Sequence, residues 1–185
     1  MEKMEEKEVK MEVSFLEKIE GLFDAKNYTE VIRIILNFIE NGGKNPEICN
    51  YFIMSVRLIS NPKDYIELAK KLVQEYEGSS ELFAIHMQHS LGRLLYETGE
   101  YIEANSNFML ANCRYNPDHH QHRANNLYYY AISLKEQGNI DSALQVMNQT
   151  VNLWKKVLRN DPEDISFLLG LLNAQKLQEE IHSKS

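Results

Sequence analysis

LGRLLYETGEYIEANSNFMLA, residues 91–111, decides the fold. Apolar residues recur at helical spacing up to Tyr96, a glycine interrupts at Gly99, and a second helical pattern starts at Tyr101. The same pattern returns in YAISLKEQGNIDSALQVMNQT, residues 130–150, with Gly138 lying 39 residues after Gly99. Each segment reads as a helix, a tight turn at glycine and a second helix. Internal repetition of this length is the signature of stacked helical hairpins.

The register extends upstream, with Lys26 and Lys63 at the turn position. Two residues after the turn stand Tyr28, Tyr65, Tyr101 and Ile140. Five after it stand Val31, Leu68, Ala104 and Ala143, and nine after it Ile35, Leu72, Phe108 and Met147. Four before it stand Leu22, Ile59, Leu95 and Leu134. All are apolar or aromatic, and the spacing between turns is 36–39 residues. Positions five and nine share one face of the second helix, because residues four apart are neighbours on a helix. Small residues such as Gly92, Ala104, Ala131 and Ala143 allow two backbones to approach. One hairpin cannot bury such a face alone, so the units stack.

Leu91, Gly92, Tyr101, Ala104, Phe108 and Ala111, with Gly99 at the turn and Pro117 beyond, resemble a tetratricopeptide repeat. The resemblance is good over 85–118, fair over 124–150 and weak upstream, where Lys26 and Lys63 replace glycine and Glu75 replaces a small residue. The long spacing is similar to that of kinesin light chains and bacterial peptide-sensing regulators. The resemblance implies an all-α solenoid of about four hairpins in one domain, 11–185, closed by a C-terminal capping helix that is apolar inside and charged outside. Residues 1–10 read as a solvated, charged extension.

Nine helices are expected, near 11–24, 28–41, 45–60, 62–76, 79–98, 101–114, 121–137, 140–159 and 163–182. Asn41-Gly42-Gly43 suits a helix end. Pro62 and Pro162 suit first turns, with Asn61 and Asp161 as N-caps and Ser79 or Ser80 capping the fifth helix.

The resemblance also implies a groove lined by the first helix of each hairpin, with binding residues at fixed offsets before the turn. Carried over, these are Asn50, Ile53, Arg57 and Ser60, then His86, His89, Arg93 and Tyr96, then Asn125, Tyr128, Ile132 and Lys135. Val13, Leu16, Glu20 and Phe23 form an apolar end in the first hairpin. Arg57, Arg93, Lys135 and the histidines make the middle basic, on a chain whose formal net charge is −7. Paired arginines clamp carboxylates, and asparagines can hold a peptide backbone. The expected ligand is a protein or peptide segment of acidic character.

DHHQH, residues 118–122, invites comparison with a metal site. Adjacent loop histidines seldom converge on one centre, so an exposed loop is expected, with no metal and no cofactor. Tyr130 is expected inside and Tyr128 on the groove, since consecutive helical residues diverge by about 100°. Trp154 is expected to pack against the last helix.

Composition narrows the classes further. An acidic chain is a poor match for nucleic acid. No apolar run approaches the roughly 18 residues of a membrane span. The N-terminus MEKMEEKEVK is charged where a signal peptide is apolar. Cys49 and Cys113 lack metal spacing and read as reduced, partly buried thiols of a cytoplasmic protein. Neither a phosphate loop nor a nucleophile elbow occurs. The expected function is a non-enzymatic adaptor or scaffold, with a peptide-sensing receptor or a small acidic chaperone of a secreted protein as alternatives. Homo-oligomerisation is left open.

Overall fold

The computed structural model describes the backbone of residues 2–183 and the side chains of residues 13–183. Among these are nine α-helices: α1 (Glu2–Asp24), α2 (Tyr28–Glu40), α3 (Pro46–Val56), α4 (Ile66–Glu75), α5 (Leu82–Glu97), α6 (Tyr101–Arg114), α7 (His120–Glu136), α8 (Ile140–Asn160) and α9 (Ile165–His182). A short 3-10 helix, Pro62–Tyr65, precedes α4. Neighbours in sequence are neighbours in space, as an array of helical hairpins requires. The solvated extension expected at 1–10 lies outside the described side chains.

All the repeat positions on either side of the turns are buried or half-buried. Their burial forms two principal clusters. One joins α1 to α6 around Ile35, Phe52, Leu95 and Phe108. The other joins α7, α8 and α9 around Ala131, Ala143, Met147 and Trp154. Gly92 is small because Phe108 sits over it. A Cβ there would lie 2.8 Å from two Phe108 ring atoms.

The turns behave unequally. Gly99 and Gly138 are left-handed, with φ of 90° and 76°. Lys26 occupies the same conformation, φ 59°, although a side chain there is strained. Lys63 does not. It lies inside the 3-10 helix, because Arg57 caps α3 and a loop of four residues follows before Pro62. The buried face consequently shifts by one residue at the start of α4, while Leu72 keeps its expected buried place. Ala69 is fully buried where Leu68 is only half-buried.

Three expected caps are corrected, the first being that of α5, whose N-cap is Glu81 and neither Ser79 nor Ser80. Asp161 closes α8 instead of opening α9. The N-cap of α9 is Asp164, whose carboxylate accepts from the amides of Ser166 (2.7 Å) and Phe167 (3.3 Å). Asn61 makes no side-chain cap bond. Asn45, ahead of Pro46, caps α3 by accepting from Glu47 and Ile48. Asn41-Gly42-Gly43 ends α2 as expected, with Gly43 N–H donating to Phe38 and Gly42 N–H to Ile39.

α9 departs from its expected character. On its inner face Phe167 packs on Trp154, as expected for that tryptophan, Gly170 admits the indole, and Leu171 and Ala174 join the same cluster. Its outer face is not charged throughout: Ile165, Leu168, Leu169 and Leu172 are all exposed. The helix therefore covers α8 without presenting the polar surface of a cap.

Of the cysteines, Cys49 is buried and Cys113 is exposed, against the expectation of partial burial for both. No described helix is long and apolar enough to cross a membrane.

Candidate functional site

Helices α3, α5 and α7 lie side by side and share one pocket of about 190 Å³. Six of the carried-over residues line it: Asn50, Arg57, His86, His89, Arg93 and Asn125. Met54, Ser90, Tyr115 and His122 complete the wall. A second, smaller pocket of about 130 Å³ adjoins it through Asn125 and is walled by Tyr128, Tyr129, Trp154 and Asn173.

The two arginines are held differently. Arg57 forms a bidentate pair with Glu97, donating from Nε at 3.1 Å and Nη2 at 2.6 Å, and its side chain is only 8 % exposed. Arg93 stacks on the Tyr129 ring, 4.0 Å from its centroid, and stands 3.7 Å from the same Glu97. Burial, then the neighbouring Arg57, push the Arg93 guanidinium below its ordinary range. Its Nε is buried with no hydrogen-bond partner among the described groups.

His86 and His89 are held in the neutral form by burial. His89 Nδ1 lies 3.0 Å from Asn126 Oδ1. Asn126 Nδ2 donates to the Phe108 carbonyl, so its oxygen must accept, and His89 carries its proton on Nδ1. Burial first, then the arginines and His86, push the His89 pKa down to about 3. His86 is pushed down to about 4 by burial, then by His122 and His119. Its ring packs 4.6 Å from His122 and 5.9 Å from Tyr115, and its Nε2 has no partner among the described groups. The basic middle thus reduces to two guanidiniums that share Glu97, Arg57 in a bidentate pair and Arg93 at 3.7 Å.

The pocket is tied together by polar contacts between successive first helices. Ser90 Oγ donates to Asn50 Oδ1 at 2.8 Å, linking α5 to α3. Asn50 Nδ2 in turn donates to Met54 Sδ at 3.4 Å. The Ser90–Asn50 bond fixes the relative height of the two helices, which apolar packing alone leaves soft, and the contact with Met54, within α3, holds the Asn50 amide in place.

Several expected groove residues lie elsewhere. Ile53 is fully buried in the first cluster, because α3 turns that face toward the core. Tyr96 packs on Tyr101, 5.7 Å between rings. Lys135 stands 3.7 Å from Glu180 of α9. Tyr128 lines the adjoining pocket, as expected, while Tyr130 is half-buried with its hydroxyl on Met109. At the apolar end, Phe23 is enclosed by Tyr28 and Tyr51, and Val13 is exposed.

DHHQH is not an exposed loop. His119 caps α7, His120 and His122 belong to it, and all three are half-buried. No group of three metal-binding side chains is assembled among the described residues. His122, Ser90 and Met54 escaped the offset reading. Each lies one helical turn from a residue it had selected: His122 before Asn125, Ser90 after His86, Met54 after Asn50.

No protein-family profile and no curated protein sequence matches this chain. The fold and the pocket define an all-helical array of paired helices with a polar cleft across its first helices.

Proposed function

We propose that the chain is a protein-interaction module of tetratricopeptide type, holding a segment of a partner protein across α3, α5 and α7. One observation carries this reading: three successive first helices bring Asn50, Arg93, His86 and Asn125 onto a single pocket, and two of these side chains keep a buried polar atom, Arg93 Nε and His86 Nε2, without a partner among the described groups. At about 190 Å³ the pocket is below the range of small-molecule sites and suits one or two side chains of a longer segment. The adjoining aromatic pocket extends the contact toward α9. Neutral histidines serve here as hydrogen-bonding walls rather than as acids poised near pH 7.

Acidic preference in the ligand would act through Arg93, since Glu97 engages Arg57 in a close bidentate pair and Arg93 only at 3.7 Å. The test begins with partner recovery by affinity purification and mass spectrometry. Binding of the recovered partner is then measured for Arg93→Ala combined with Asn125→Ala, beside Arg57→Ala. The expected loss is at least about tenfold for the first pair, or about 1.4 kcal/mol. Unchanged affinity in a folded variant overturns the reading.

A further inference from the structure

The apolar stripe on α9 repeats a face that is covered elsewhere in the molecule. Helix α7 meets the preceding α6 through Asn126, Tyr130 and Ser133, which contact Phe108, Met109 and Tyr101 respectively. On α9, Phe167, Leu171 and Ala174 have the same i, i+4, i+7 spacing and meet the preceding α8. At the matching offsets stand Ala124, Leu127 and Ala131 of α7 and Ile165, Leu168 and Leu172 of α9. In α7 these are 0 %, 3 % and 0 % exposed, beneath the antiparallel α8. In α9 they are 73 %, 45 % and 50 % exposed, with Leu169 beside them at 53 %. α9 is therefore docked as a first helix, and among the described residues the face that α8 covers on α7 stands uncovered on α9.

We infer that this face is covered by the α9 of a second copy, forming a two-fold dimer through an antiparallel helix pair. Three features favour that occupant. The stripe Ile165–Leu168–Leu172 has the 3-4 spacing of a helix–helix seam. It is self-complementary: with the axis between Leu168 and Leu169, Ile165 of each copy meets Leu172 of the other, as an isologous contact requires. Its flanks also carry opposite charge at opposite ends. Lys176 continues the line Ile165–Leu169–Leu172 one turn on, while exposed Asp161 and Glu163 precede Ile165. Antiparallel pairing brings each Lys176 to the Asp161 and Glu163 of the other copy, whereas parallel pairing would align like with like. One helix pair is a small interface, so the dimer is expected to dissociate on dilution.

Sedimentation velocity of the full chain, from low micromolar to sub-millimolar loading, tests this. A reversible monomer–dimer equilibrium is expected. Leu168→Glu with Leu172→Glu should weaken it about a hundredfold or more without changing the far-ultraviolet circular dichroism, because both side chains are exposed in the single chain. Lys176→Glu alone, and Asp161→Lys with Glu163→Lys alone, should each weaken self-association several-fold. Mixing those two variants should restore a heterodimer, since every flank contact is then opposite in sign. A monomer at all loadings, a dimer indifferent to the double leucine substitution, or a charge-variant mixture no tighter than its components overturns the proposal. None of these readouts depends on the α3–α5–α7 pocket.

Discussion

Hairpins α3–α4 and α5–α6 carry the same residue pattern and are built differently. In α5–α6, Gly99 takes the left-handed conformation, the two helices meet after a three-residue turn, and Gly92 lets Phe108 lie against the α5 backbone. In α3–α4, no left-handed residue marks the turn. α3 stops at Val56, and a 3-10 helix carries the chain into α4. Position by position, Val56 stands where α5 has Gly92, and Ile66 and Ala69 replace the expected Tyr65 and Leu68 as buried contacts. A branched residue at the crossing keeps the backbones apart, so the connection lengthens. The lesson is that periodicity specifies which helices pair, while the crossing residue and the turn specify how closely.

The largest break in that contrast should come from Phe108→Ala. It removes a fully buried ring from the tight hairpin and should lower unfolding free energy by about 4 kcal/mol, measured by urea denaturation. Leu72→Ala, its counterpart in α4, should cost less because the site adjoins a longer, more adjustable connection. An equal or greater loss at Leu72 would show that both hairpins are packed alike.

Acidification should separate the regions next. His86 and His89 have folded pKa values of about 4 and about 3, below the ordinary 6.5, so the unfolded chain binds more protons between those limits. The stability they contribute is present above pH 6.5 and is lost as pH falls toward 4. At pH 5 the loss amounts to about 2 kcal/mol for the enclosed His89 and to less for His86, which solvent screens in part. The segment 1–85 contains no histidine. Hydrogen exchange at pH 5 should accordingly show α5 and α7 losing protection before α2 and α3. His89→Asn should flatten the pH dependence of stability; an unaltered slope would refute the assignment.

Turn substitutions should give smaller and opposite effects. Gly99→Ala places a Cβ at φ 90° and should cost about 1 kcal/mol, whereas Lys63→Gly should be destabilising only by the entropy of the added glycine, a few tenths of a kcal/mol. Lys26→Gly relieves a left-handed lysine and should leave thermal stability unchanged or slightly raised, the smallest expected shift. A marked loss at Lys26→Gly would mean that the lysine side chain is itself a structural element.

Much of the architecture was legible in residue spacing. Helix boundaries from α5 to α8 lie within a few residues of expectation because Gly99, Pro117 and Gly138 punctuate them. The departures fall where local signals compete. Asp161 reads as an N-cap before Pro162, yet the chain needs that turn to leave α8, and Asp164 takes the amides instead. The pocket was legible in part. Asn50, His86, Arg93 and Asn125 could be placed because offsets on successive first helices map to one face. Ile53 could not be separated from them, since a small rotation of α3 turns it into the core. The histidines looked basic because spacing reveals neither depth of burial nor the Asn126 oxygen that fixes the His89 tautomer.

By itself the sequence determined that this chain is helical, that its helices pair in order and which residues are apolar at each crossing, because these follow from periods of 3.6 residues and from glycine turns. Only the tertiary structure decided that Glu97 engages Arg57, that Arg93 rests on Tyr129, that His86 and His89 are held neutral and that α9 leaves its leucines uncovered. Those depend on angles and distances between helices, set by side-chain volumes on both partners at once, which no local pattern contains.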